Sequence, residues 1–126
     1  MELDHLILPV TDTAASLRFY HIFLGLRHEG QYGPFDILRV HPGLTIDLLP
    51  VASVPQPGHL AFRLSRAEFD RAVSELRDKR IAFGTAPHDR SGGAPSLHAG
   101  ARGMAPALYF SDPDGHNIEI RAESDA

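Results

Sequence analysis

Residues 107–122 read ALYFSDPDGHNIEIRA. The apolar and aromatic run Ala107–Ser111 predicts a strand, and Asp112-Pro113-Asp114-Gly115 has the Pro and Gly of a reversing turn. Asn117–Arg121 then predicts a second strand. Strand side chains alternate between faces, so Ile118 and Ile120 belong on a helix-packed face, while Glu119, with Asn117 and Arg121, belongs on the opposite one. A carboxylate centred in a strand whose other face is core calls for a chemical reason.

Working backwards, HLAFRL predicts a strand. Ser65 with Glu68 three residues on has the form of a capping box, and Phe69, Ala72, Val73 and Leu76 give the apolar face of a helix ending near Arg80. A strand is expected at Ile81–Ala86, and HDRSGGAPSLHAGARG, rich in Gly, Ser and charge, reads as a long loop. The first half of the chain has the same order. Glu2–Val10 predicts a strand. TDTAASLRFYHIFLGL switches to helical spacing, with Thr11 or Asp12 as N-cap, Gly25 as stop and Leu17, Tyr20 and Leu24 as inward stripe. Strands are expected around Arg27–Gln31, Phe35–Val40 and Leu44–Leu49. Each half thus reads strand, helix, three strands, an α+β pattern, joined by PVASVPQP with prolines at 50, 55 and 57.

Set side by side, DHLIL matches GHLAF and TIDLL matches NIEIR. By parity His5 and Asp47 in the first module, and His59 and Glu119 in the second, point away from the helix. The His-to-carboxylate separation is longer in the second module by about the size of the Gly/Ser loop. Two imidazoles and two carboxylates brought together by a pseudo-two-fold axis suit a divalent metal. The other six histidines, His21, His28, His41, His88, His98 and His116, have no such register and read as packed or surface residues. The same parity puts Ile7, Phe35, Arg39, Arg63, Tyr109 and Arg121 on the ligand face as candidate substrate contacts. Ser91, Ser96, His98 and Arg102 of the loop are candidates for closing over an anion.

The bulk numbers bound the rest. At 126 residues the chain is one domain's worth. It has no cysteine, which excludes disulfides and thiolate chemistry, and a net charge of −4 with no basic cluster argues against a nucleic-acid partner. No run of about 18 apolar residues is present to span a membrane, and the acidic, alternating N-terminus does not read as a secretory signal, so a cytoplasmic location is expected.

LDHLILPV followed by TAASLRFYHIFLGL, GHLAF with its helix, and above all LYFSDPDGHNIEI resemble the vicinal oxygen chelate superfamily, which includes glyoxalase I, fosfomycin-resistance transferases and extradiol dioxygenases. The resemblance covers nearly the whole chain. It implies residues 1–126 as a single domain, with module one at about 1–50, a linker at 50–57 and module two at about 58–122. The modules would be paired half-open mixed sheets with helices packed outside. It puts metal ligands at His5, His59 and Glu119, with Asp47 where glyoxalase I carries a Glu, and zinc, nickel, cobalt, manganese or ferrous iron as the metal. The implied activity is a glyoxalase-like lyase or isomerase on a small substrate with adjacent oxygens, Glu119 moving the proton. The alternatives are an extradiol-type dioxygenase with ferrous iron and a non-catalytic module resembling bleomycin-resistance proteins. Pro9 stands where glyoxalase I has its thiol-binding Arg, and Ile7 where fosfomycin enzymes have a Thr. Each half-barrel edge needs a partner, and a linker with three prolines spans roughly 25 Å if extended. A homodimer is therefore expected, each metal site taking His5 and Asp47 from one chain and His59 and Glu119 from the other.

Overall fold

The computed structural model describes residues 1–123, in two compact units, Met1–Gln56 and a second from Pro57 onward. In the first unit β1 (His5–Val10) leads into α1 (Thr13–Leu24), followed by β2 (Arg27–Tyr32), β3 (Phe35–His41) and β4 (Leu44–Pro50). Asp12 starts the helix by accepting the Ala15 N–H at 3.1 Å, satisfying one of the free donors of the first turn. Gly25, at φ 67°, stops it in the left-handed conformation that costs glycine least, and its N–H returns to His21 O. The strand order is β1-β4-β3-β2, with β1 and β4 parallel and the other pairs antiparallel.

The helix buries Ser16, Phe19, Tyr20, Phe23 and Leu24 over Leu8, Val10, Leu38, Ile46 and Leu48 of the sheet. The predicted stripe was right at Tyr20 and Leu24, but Leu17 is only half-buried. The aromatic pair Phe19 and Phe23, with rings 4.9 Å apart, takes the inward face instead.

The second unit repeats the plan. β5 (His59–Leu64) precedes α2 (Arg66–Asp78), then come β6 (Phe83–Gly84), β7 (Ser96–Gly100), β8 (Gly103–Ser111) and β9 (Asn117–Ala122). The order is β5-β9-β8-β6, with β5 parallel to β9. The capping box is complete: Ser65 Oγ accepts the Glu68 N–H, and Glu68 accepts the Ser65 N–H. Phe69, Ala72 and Leu76 are buried against the sheet, and burying Phe69 and Leu76 is worth about 1.5–3 kcal/mol each.

Two expectations need correction. The strand predicted at Ile81–Ala86 shrinks to Phe83–Gly84, which pairs with Phe110 and Tyr109. The Gly/Ser segment read as a loop contains β7, which forms a hairpin with β8 along the edge that β6 leaves open. Both sheets are mixed and each carries its helix on one face. Among the described residues no helix is long and apolar enough to cross a membrane.

Candidate functional site

The backbone register gives both units the same layout on the face away from the helix. His5 lies opposite Thr45 on the neighbouring parallel strand, and Asp47 is two residues further along. His59 lies opposite Asn117, and Glu119 is again two residues further along. The parity assigned from sequence therefore holds for all four residues.

In the second unit His59 Nε2 lies 3.2 Å from Glu119 Oε1. Glu119, on the face away from the helix, is nonetheless buried: its side chain is 8% exposed against 46% for His59. Two neighbours cover it. Tyr109, its cross-strand partner, hydrogen-bonds to the carboxylate, and Arg121 donates from Nη1 to Oε2 at 2.6 Å. Burial, then the Glu119 charge and hydrogen bond, push the Tyr109 phenol up to about 12, so it stays a proton donor to Glu119. The His59 ring stacks near Tyr109 at 6.1 Å, and His98 meets the same ring edge-on at 5.1 Å.

In the first unit the pair is looser. His5 Nδ1 donates to the Asp4 carboxylate at 2.7 Å, and this bond raises the His5 pKa. A carboxylate on one ring nitrogen fixes the tautomer and leaves Nε2 as the atom that could accept a metal, a common arrangement for metal-binding histidine. Asp47 Oδ1 accepts from the Thr45 hydroxyl at 2.9 Å. In the second unit, donor atoms each about 2.0–2.2 Å from a shared ion lie about 3.0–3.4 Å apart for right-angle to tetrahedral coordination, which the 3.2 Å separation of His59 and Glu119 fits. Within each unit the set is a pair: among the described residues no group of three or more His, Asp or Glu is gathered closely enough to hold an ion.

The substrate-contact candidates fall differently. Arg39 is paired with Glu29 at 2.9 Å and also donates to the Pro42 carbonyl; this contact holds the Glu29 carboxyl below its usual range. Arg63 pairs with Glu123. Phe35 is half-buried and Ile7 is exposed on the open face. Arg121 has all four Nη hydrogens engaged, and Tyr109 is committed to Glu119. In the loop, Ser91 bonds Asp89, Ser96 and His98 bond the Thr85 carbonyl, and Arg102 is exposed at the hairpin tip.

Two residues that sequence reasoning missed shape the end of the strands where His59 sits. His116, buried in the DPDGHN turn, accepts the Gly58 N–H on Nδ1 at 2.8 Å and so anchors the residue before His59. Arg90 reaches from the loop to Ser111 Oγ and Asn117 Oδ1, while Asn117 donates back to the Pro87 carbonyl. For His116 the signal was its place directly after a tight turn; for Arg90 there was none. An open recess of about 420 Å³ at this end includes Arg90, His88 and Asn117 in its lining.

Residues 2–120 match the family described as the Glyoxalase/Bleomycin resistance protein/Dioxygenase superfamily. A virulence protein of Salmonella typhimurium, STM3117, is 31% identical, with 94% of this chain and 81% of that protein covered. The glutathione transferase FosA of Serratia marcescens is 27% identical, over 97% of this chain and 81% of FosA. Among solved structures, the oxidase ChaP-H2 superposes with a TM-score of 0.82 at 32% identity, covering 98% of this chain and 94% of that one.

Proposed function

The chain belongs to the Glyoxalase/Bleomycin resistance protein/Dioxygenase superfamily, and from that membership we propose that it is a metal-dependent enzyme acting on a small substrate with two adjacent oxygens. The observation that carries this reading is the 3.2 Å approach of His59 Nε2 to Glu119 Oε1, with a His and a carboxylate repeated at the same register positions in the first unit. His5, Asp47, His59 and Glu119 are the proposed ligands. Zinc, nickel, cobalt, manganese and ferrous iron all suit two imidazoles with one or two carboxylates. When bound, such an ion supplies Lewis-acid stabilisation of negative charge on chelated oxygens. The chain's own part is to orient the donors: Asp4 turns His5, Thr45 holds one oxygen of Asp47, and Arg121 and Tyr109 hold Glu119.

In the glyoxalase-like form of the proposal, a lyase or isomerase, Glu119 takes a proton from a substrate carbon and returns it to the neighbouring one. A second reading, an extradiol-type or other ferrous-iron oxidation, is favoured by two observations. The oxidase ChaP-H2 is similar over nearly the whole chain. Glu119 is also gripped on its second oxygen, which suits a fixed ligand better than a carboxylate that moves protons. If Asp47 stays outside the coordination sphere, the remaining His5, His59 and Glu119 form the two-His, one-carboxylate set typical of non-haem iron.

Metal-free protein reconstituted with zinc, nickel, manganese and ferrous iron is expected to bind about one ion per subunit. His59→Ala should weaken binding at least about tenfold. His41→Ala, at the exposed end of β3 where its ring accepts the Gly43 N–H, should not. Equal effects would overturn the assignment. The loaded protein, offered hemithioacetals of 2-oxoaldehydes and, separately, catechols with oxygen uptake recorded, then separates isomerisation from oxidation.

The proposal includes a homodimer whose sites are shared between chains. It is tested by co-refolding a His5→Ala/Asp47→Ala chain with a His59→Ala/Glu119→Ala chain. Shared sites restore metal to half the sites of each mixed dimer, whereas sites built within one chain restore none.

A further inference from the structure

Arg121 is held on both Nη atoms. Its Nη1 donates to Glu119 Oε2 at 2.6 Å and to Ala99 O at 3.4 Å, and its Nη2 donates to His98 O at 2.9 Å and Gly103 O at 3.0 Å. Three of the four acceptors are main-chain carbonyls of the β7–β8 hairpin, and the fourth is the proposed metal-binding carboxylate. The guanidinium lies over small residues. Ala107 is its cross-strand neighbour, and at Gly100 a Cβ would stand 2.7 Å from Cζ and Nη2. Gly100 has no positive φ, so the backbone does not demand glycine there; the space taken by Arg121 does.

We infer that Arg121 is a positioning residue that locks the β7–β8 hairpin to Glu119 Oε2 and thereby fixes Oε1 as the oxygen presented beside His59. The inference rests on the metal-dependent reading above and adds a device to it. A planar fork with fixed donor directions can hold three carbonyls and a carboxylate at once, which a lysine ammonium cannot reproduce. The hairpin and the carboxylate therefore move as one body, and a change of shape at Gly100 is relayed to the coordinating atom. The first unit lacks this device. Two residues beyond Asp47 stands Leu49, no hairpin is inserted, and the Thr45 hydroxyl is the side-chain donor to Asp47. The two carboxylates are thus held differently: Glu119 by a guanidinium and a phenol, Asp47 by the Thr45 hydroxyl.

The test is cobalt(II) titration of the metal-free full chain, reading affinity by competition and coordination geometry from the visible absorption bands, with the melting curve of each metal-free variant alongside. The variants are Gly100→Ala, which pushes on the guanidinium without removing it, Arg121→Lys, which keeps the charge but not the fork, and Leu97→Ser, on the exposed opposite face of the hairpin. Gly100→Ala and Arg121→Lys are expected to bind cobalt about 10–100-fold more weakly with shifted bands, as loss of an outer partner of a ligand does. Leu97→Ser should match the wild type in both. If the wild type binds no cobalt, the metal-dependent reading fails and takes the inference with it. If the wild type binds and folded Gly100→Ala shows unchanged affinity and bands, the inference alone is overturned; should Arg121→Lys not fold, Gly100→Ala decides.

Discussion

Glu119→Gln separates what this carboxylate does for the fold from what it does for chemistry. Glu119 and Arg121 form an ion pair at 2.6 Å with side chains 8% and 11% exposed. Removing one member of such a pair commonly costs about 3–5 kcal/mol because the other charge is left buried without a partner. Here the cost should be smaller. The carbonyls of His98, Ala99 and Gly103 continue to solvate the guanidinium, and the amide oxygen of the replacement still accepts from it. What is lost is the charge on the acceptor that Arg121, Tyr109 and His59 surround, about 1.5–3 kcal/mol. For a chain of this length that lowers the melting temperature by roughly 6–11 °C. Differential scanning calorimetry on metal-free protein reads this without reference to any reaction. The double variant Glu119→Gln/Arg121→Met should cost less than the sum of the two singles by about 1 kcal/mol or more, since it leaves no unpaired charge. A melting temperature within 2 °C of wild type for Glu119→Gln, or strict additivity in the double variant, would refute the claim that the pair is buried and coupled.

Three further outcomes are expected. Ser65→Ala removes half of the α2 capping box and should destabilise the second unit by about 1 kcal/mol in a denaturant titration; no change in midpoint would mean that the helix start is held otherwise. Glu68 is held below its ordinary pKa by the Ser65 main-chain and side-chain hydrogen bonds, so its contribution is complete above about pH 4.3 and fades as pH falls through the depressed folded value. Glu68→Gln should flatten that part of the stability profile, and an identical profile would exclude the residue as its source. Gly84→Ala puts a Cβ 2.0 Å from the Asp89 carbonyl oxygen, so the loop after β6 must move. A loss of about 1–3 kcal/mol and faster amide exchange at Gly92, which donates to Phe83 O, are expected, and unchanged exchange there would contradict the crowding.

What was legible in the sequence followed from local rules. Alternation around Ile46, Asp47 and Leu48, and around Ile118, Glu119 and Ile120, assigned the faces correctly because each strand has one side packed on a helix. The stops at Gly25 and the box at Ser65 were readable because caps are written within four residues. The β7–β8 hairpin was not readable. Ser96–Gly100 has little apolar content, and both its faces are largely exposed, so no period of two is imprinted on it. Pro106 sits inside β8, where proline ordinarily argues against a strand, but it falls on the stretch that pairs with β7, itself an edge strand. Arg121 was legible as facing the ligand side, but which carbonyls it holds is set by the fold of that hairpin, and no spacing along the chain records it.

The parallel pairing of first and last strands in each unit also governs how the ligand pairs come into being. His5 and its cross-strand partner Thr45 are 40 residues apart, and His59 and Asn117 are 58 apart. Neither pair exists until strands from opposite ends of the unit have been brought together, so the proposed metal donors depend on long-range closure of the chain. Closing the longer loop costs only about 0.3 kcal/mol more, because the entropy grows with the logarithm of length. A unit built this way can accept an inserted segment such as the β7 hairpin at almost no thermodynamic penalty, leaving the inserted residues to be shaped by whatever they come to grip.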